Sequence, residues 1–260
     1  MREIQEMRLD EGSQRVQSVE RAVRLLEILA EATEMSLGDL AVRAGIHKST
    51  TYRLLHTLKE LGYVVQDEEQ GHYRVGLRLV EIGGRAMRSW PLHRAAEPAM
   101  EDLAETLGEA VNLAVEDDLS IVYVATVDAR NLLRMQLKVG RRAPMHCTAV
   151  GKAILAVHPA LVERLKEQNG ELAALTPRTL VQWRDLEAEL ARVRSRGFAI
   201  DDEEQEIGAR CVAAAILDPR GRVQGAIGIS APSARLSLER AQQVGPTIVE
   251  AAQSVSRHLL

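Results

Sequence analysis

Lys48, Ser49, Thr50 and Arg53 set cations beside short hydroxyls at the start of one periodic segment, HKSTTYRLLHTLKELGYVV over 47–65. Side chains of this kind at a helix N-terminus suit phosphate groups, which also meet the unpaired backbone N–H groups of the first turn. An Arg on the same face can bind guanine through two parallel hydrogen bonds. The helix that presents them is legible, because Thr51, Leu54, Leu55, Leu58 and Leu61 recur at spacings of three and four and turn one apolar face inward. The polar face then looks outward, and the chemistry it points to is contact with double-stranded DNA.

A second set of reactive groups lies in GRRAPMHCT over 140–148, which runs into the apolar stretch AVGKAILAV. With Thr148 as N-cap, the N–H groups of Ala149 and Val150 would face whatever sits before the helix, and a carboxylate is a fitting guest. The same stretch admits a different class of function, a small-molecule thiol hydrolase with Cys147 or Cys211 as nucleophile and His146 as base. No nucleophile elbow, phosphate loop or metal motif accompanies those residues, so no enzyme activity is expected. His146 and Cys147 are chain neighbours that point apart when extended, a poor pair of metal ligands, and neither metal nor cofactor is expected. Asp201, Asp202, Glu203, Glu204 and Glu206 read as a solvated acidic turn.

The formal charge of −4 over 260 residues argues against a blanket electrostatic footprint for nucleic acid, so DNA contact needs a local patch. Ala41 to Lys59 supplies one, with Arg43, Lys48, Arg53 and Lys59 and no acidic residue. A hydrophobic content of 46% can bury a real core, and the length suits two domains. No run approaches the roughly 20 apolar residues that span a bilayer, so no membrane role is expected. Two cysteines without a signal-peptide pattern point to the cytoplasm.

The elements that must position the first patch follow in order. Residues 1–14 read as a polar, aperiodic tail. Val19, Ala22, Val23, Leu26, Leu29 and Ala30 predict a helix with that face buried and Ser18 as its cap. Ser36 caps a second helix with Asp39 at its third position, Leu37, Leu40 and Ala41 face inward, and Gly45 suits a left-handed residue before the turn AGIHKS. That arrangement is a helix-turn-helix. After Gly62, YVVQDEEQGHYRVG predicts two short strands around an acidic turn, a wing on which Arg74, ahead of His72, meets the phosphate backbone while Asp67, Glu68 and Glu69 turn away. Leu77 to Ser89 reads as a linker helix interrupted at Gly83–Gly84 and ended before Pro91. Beyond it the pattern predicts a helix over Leu92–Leu107 and strands over Ala110–Glu116, Ser120–Val127 and Leu132–Val139. Helices follow after Thr148 and over Leu161–Gln168 and Trp183–Arg196. Strands over Phe198–Asp201, Val212–Leu217 and Val223–Ser230 precede a last helix over Ser237–His258. An antiparallel sheet flanked by helices is the expected product.

VQSVERAVRLLEILAE, GIHKSTTYRLLHTLKELGYV and YRVGLRLVEIG, taken in that order, resemble the IclR family of bacterial transcription regulators. AVNLAV, RRAPMHCTAVGKAILA and GFAIDDEEQEIGARCVAAAILDPRGRVQGAIGISAP are similar to the same family's effector domain. The resemblance implies an α+β chain: a tail over 1–14, a winged helix-turn-helix domain over 15–76, a linker helix over 77–90, and a GAF-like α/β effector-binding and oligomerisation domain over 91–260. It implies a repressor of a catabolic operon that binds a palindromic operator as a homodimer or a dimer of dimers. It places a small organic effector at Ala149, Val150, Asp201, Cys211, Gly228 and Ser230, with an apolar wall at Met135, Ala143 and Ala209. Gly228 stands where some members carry serine, and Ala143 and Ala209 where larger aliphatic residues occur. Those departures lead to the expectation of a larger, less polar cavity and an aromatic or hydroxy acid derivative as its guest. Asp201 is expected to repel a second carboxylate and to prefer a hydrogen-bond donor on the ligand.

Overall fold

The computed structural model describes residues 15–129, 131, 135, 137–168 and 170–259, so the expected tail lies outside the described residues. The chain divides into two compact units, Met1–Ala86 and Met87–Leu260.

The first unit opens with α1 (Gln17–Glu31), α2 (Leu37–Ala44) and α3 (Lys48–Glu60), followed by a hairpin of β1 (Val64–Gln66) and β2 (Tyr73–Val75). Leu25, Ile28 and Leu29 of α1 meet Leu40 and Ala44 of α2, Leu55 and Leu58 of α3, and Val64 and Tyr73 of the hairpin in one core. The Ser36 box forms as expected: the hydroxyl accepts from the Asp39 N–H at 3.2 Å and donates to Asp39 Oδ2 at 2.7 Å. Gly45 has φ 67°, the left-handed value that lets α2 stop and α3 begin within a few residues.

Three expectations for this part of the chain are corrected. Val16, not Ser18, is the N-cap of α1, and it makes no side-chain capping bond. The buried face of α1 is also rotated from the expected one, because Val19 and Val23 remain 59% and 47% exposed while Leu25 and Ile28 go inward. A helix with apolar residues on two sides can bury only one of them in so small a unit. The linker helix α4 (Leu77–Ser89) runs unbroken through Gly83 and Gly84, since a pair of glycines weakens a helix without removing a backbone donor.

The second unit is built on a six-stranded antiparallel sheet of order β5-β4-β3-β8-β7-β6, from β3 (Ala110–Asp117), β4 (Ser120–Val127), β5 (Arg142–Pro144), β6 (Ala199–Asp202), β7 (Ala209–Leu217) and β8 (Val223–Pro232). One face carries α5 (Pro91–Leu107) and α9 (Leu238–Arg257), packed through Met100, Leu103, Val244 and Ile248. The opposite face carries α6 (Ala149–Val157), α7 (Pro159–Gln168) and α8 (Trp183–Arg196), packed through Ile154, Leu155, Leu161 and Leu190. The strand expected over Leu132–Val139 falls partly outside the described residues, and its described part, 135 and 137–139, is not strand. The edge strand is β5, inside the stretch taken as a loop.

Helix α6 owes its seat to Gly151, where a Cβ would lie 2.5 Å from Met145 Cα and 2.6 Å from Thr148 Oγ1. The bare backbone lets the loop 145–148 close against the first turn. Gly151→Ala should therefore lower the unfolding free energy of the chain by about 1–3 kcal/mol through overpacking, measured by urea denaturation against Gly83→Ala, whose added methyl meets nothing within 4 Å.

Candidate functional site

The outward face of α3 carries Lys48, Ser49, Arg53 and His56, all exposed, while Thr51, Leu55 and Leu58 are buried beneath it. Thr50 is half-buried at the edge of that face. The cap of α3 is His47, a residue that sequence reasoning missed: its Nδ1 accepts from the Ser49 N–H at 3.4 Å and lies 2.8 Å from Ser49 Oγ. The signal was there, since His47 stands immediately before the first periodic residue, but histidine is not among the usual capping types.

Electrostatics separate the cations of this unit. Arg43 pairs with Glu31, and Glu81 takes both Arg78 and Arg85. Lys48, Arg53 and Arg74 have no acidic partner among the described residues. In the wing, Asp67 turns inward to accept the N–H groups of Glu69 and Gln70 at 2.9 and 2.7 Å, and Arg74 is left exposed on β2. His72 is engaged instead with Glu34 at 3.2 Å, which ranks it below Arg74 as a phosphate contact for a stated reason.

The second candidate site lies where α6 meets the sheet. Asp201 pairs with Cys211 across β6 and β7, and Cys211 pairs with Ser230 across β7 and β8. Register partners point to the same face of a sheet, so these three side chains form a row beneath the α6 N-terminus. Thr148 caps α6 as expected, accepting from the Gly151 N–H at 3.1 Å. The N–H groups of Ala149 and Val150 make no hydrogen bond among the described residues.

Ala149, Val150, Asp201, Cys211, Gly228 and Ser230 all line one cavity, together with Asn112, Tyr123 and Thr148. Asn112 and Tyr123 are the residues missed from sequence. Asn112 interrupts the otherwise apolar run AVNLAV, and a lone amide in a buried strand is a signal in its own right. Its Nδ2 donates to Ser230 Oγ at 3.0 Å, and Ser230 Oγ lies 3.1 Å from Cys211 Sγ. Asn112 Oδ1 is buried with no partner among the described residues, a costly state that a ligand donor or a water would relieve.

Met135, Ala143 and Ala209 do not line this cavity. Ala143 instead lines a separate depression with Met145, His146, Leu165 and Leu172, and Ala209 sits at the end of β7 opposite Pro232. Gly228 opens no space either: a Cβ there would lie 2.5 Å from Val212 O and 2.6 Å from Ala213 Cβ. The cavity measures about 10 Å³, room for about one water, so without a ligand it is closed rather than enlarged.

Burial also decides the chemistry of the titratable groups. It pushes the Cys147 thiol up to about 12 and the Cys211 thiol higher still, with the nearby Asp201 acting in the same direction. A nucleophilic cysteine needs the opposite shift, so the hydrolase reading finds no support. Burial lowers His146, whose Nε2 lies 3.0 Å from Ala173 O.

Asp201 is raised to about 7 because burial strips water from the charged form, opposed in part by the Glu204 N–H and by Lys152. Between the ordinary carboxylate range and about 7, the unfolded chain has released this proton and the folded chain keeps it. The stability it contributes is full at low pH and is lost as pH rises through about 7. Asp201→Asn, which keeps an acceptor for the Glu204 N–H, should exceed the parent in unfolding free energy near pH 8 by on the order of 2 kcal/mol. That gap should close toward about pH 4 in paired urea titrations.

The family model described as the IclR helix-turn-helix domain matches residues 18–68, and the one described as the C-terminal part of the bacterial transcriptional regulator IclR matches residues 84–257. The HTH-type transcriptional regulator KdgR of Escherichia coli is 36% identical over 251 residues, 96% of this chain and 95% of its own. The transcriptional repressor IclR of the same organism is 38% identical over 245 residues, 93% of this chain and 89% of its own. The crystal structure of IclR from Thermotoga maritima superposes with a TM-score of 0.77 at 29% identity, covering 93% of this chain and 98% of that one. With both halves matched in order, the chain belongs to the IclR family of bacterial transcriptional regulators and is a DNA-binding regulator rather than an enzyme.

Proposed function

We propose that the chain represses a catabolic operon in the cytoplasm, with residues 15–76 reading the operator, 77–90 linking, and 91–260 binding the effector and mediating oligomerisation. Lys48, Ser49, Thr50 and Arg53 enter the major groove and Arg74 of the wing meets the flanking phosphates. The observation that carries this reading is that Lys48, Arg53 and Arg74 are exposed on α3 and β2 with no acidic partner among the described residues, whereas Arg43, Arg78 and Arg85 have one. An unpaired surface cation is free to displace the counterions of a phosphate.

A palindromic operator requires a two-fold dimer. Support comes from the apolar residues that the first unit leaves outside, Val16, Val19 and Val23 on α1 and Leu77 and Val80 on α4, the last two being 76% and 70% exposed. Their spacings of three and four place each set on one helix face. Pairing of dimers into a tetramer through the second domain is part of the proposal.

The effector is a small organic acid whose carboxylate meets the N–H groups of Ala149 and Val150, with its other end toward Asp201, Asn112 and the Cys211–Ser230 pair. A cavity of about 10 Å³ holds neither a short acid nor an aromatic one as it stands, so binding of an aromatic or hydroxy acid derivative requires the walls of the cavity to open. Near neutrality Asp201 exchanges a proton, and so it can serve a ligand hydroxyl as acceptor or a keto oxygen as donor.

The test is fluorescence anisotropy on DNA upstream of the gene at two salt concentrations, with and without short carboxylic acids. Specific binding should weaken steeply with salt, and Arg74→Ala, which removes one phosphate contact from each half-site, should lower the slope of log affinity against log salt by about 2 while weakening all sequences alike. Arg53→Ala should also relax preference at one base pair. Binding indifferent to salt and sequence would sink the reading. Val80→Asp should shift sedimentation toward the monomer and weaken operator binding by at least tenfold, roughly the loss expected when half of a two-fold contact set is removed.

A further inference from the structure

We propose that Tyr52 reads a thymine methyl in the major groove, an assignment that rests on α3 being the reading helix. Tyr52 is 52% exposed, and among the chain's aromatic residues it alone is exposed, since Tyr63, Trp90 and Trp183 are half-buried and Tyr73, Tyr123 and Phe198 are buried. Its phenol makes no hydrogen bond among the described residues, and its ring tilts at 51° to His56 with centroids 6.3 Å apart. Thr51, Leu55 and Leu58 fill the core side of the helix, and Tyr52 is not among the residues of the first unit's core.

Its place on α3 gives the ring a direction. Tyr52 stands one turn after Lys48 and next to Arg53, and Lys48, Tyr52 and Lys59 share the flank of α3 that faces the wing. Lys59 Nζ, 3.3 Å from Gln66 Oε1 of β1, marks that flank. Phosphates along such a flank are met by the two lysines. A neutral ring between them suits the apolar feature of the groove floor, the thymine C5-methyl. His56, tilted against the ring, limits the rotamers it can adopt and lowers the entropy lost on contact.

The experiment uses the full-length protein and an operator fragment obtained by selection from random duplexes. Each thymine of one half-site is replaced in turn by deoxyuridine, which removes the methyl alone. The parent protein should lose about fourfold in affinity at one thymine, the worth of one buried methyl. Tyr52→Ala, which removes the contact from both half-sites, should bind the unmodified fragment about sixteenfold more weakly and be indifferent to deoxyuridine at that thymine, with its salt slope unchanged. Tyr52→Phe should behave as the parent. The proposal is overturned if the parent tolerates every replacement, if Tyr52→Ala keeps the parent's sensitivity, or if Tyr52→Ala weakens all sequences alike, the mark of a phosphate contact. The scan on the parent protein needs no variant to fold. Failure to select any specific fragment would instead overturn the reading of α3 itself, and the assignment of Tyr52 with it.

Discussion

Lys152 is 1% exposed on the first turns of α6, and the candidate effector site depends on how its charge is held. Its Nζ donates to Ile200 O at 2.6 Å and to the carboxylate of Glu204, itself buried. An ammonium removed from water costs several kcal/mol unless it is paired and hydrogen-bonded. The pairing therefore ties the turn after β6 to α6, and Thr176 and Thr179 secure the same turn through hydroxyl bonds to Glu203 O at 2.7 Å and Glu204 O at 2.6 Å. Asp201 is fixed as a consequence, because the Glu204 N–H donates to its Oδ1 at 2.8 Å.

Around that anchor the sheet register does the remaining positioning. Asp201, Cys211 and Ser230 come from three strands, yet they lie in one row because each is the cross-strand partner of the next. Asn112 joins them from β3 through Ser230. The cavity they surround is small and polar on several sides, with an orphaned Asn112 oxygen, a raised Asp201 and two unpaired N–H groups of α6.

The local signals in the sequence were reliable where one residue type answers one local need. The Ser36–Asp39 box, the left-handed Gly45 and the Thr148 cap are decided within a few residues of themselves, and each formed as expected. The inward periodicity of α3 held for Thr51, Leu55 and Leu58, but Leu61, at its C-cap, ends 58% exposed. For α1 periodicity misled, because two apolar stripes run along the same helix and only the surrounding helices choose between them. At Gly228 the sequence suggested room where the neighbouring strand already fills it. Met135, Ala143 and Ala209 were carried to the pocket by resemblance, and the fold places Ala143 and Ala209 elsewhere.

By itself the sequence determined most of the elements, the helix-turn-helix with its wing, and the polar residues presented by α3, but not the edge strand β5. Those follow from short-range capping, turn conformations and hydrophobic period, which need no distant partner. Tertiary structure alone decided which stripe of α1 is buried, which cations remain unpaired, that Lys152 lies in the interior, and that Asn112 and Tyr123 close the cavity. Each of these depends on groups far apart in the chain meeting at a particular register, and a pattern of spacing along one strand or helix carries no information about what lies across from it.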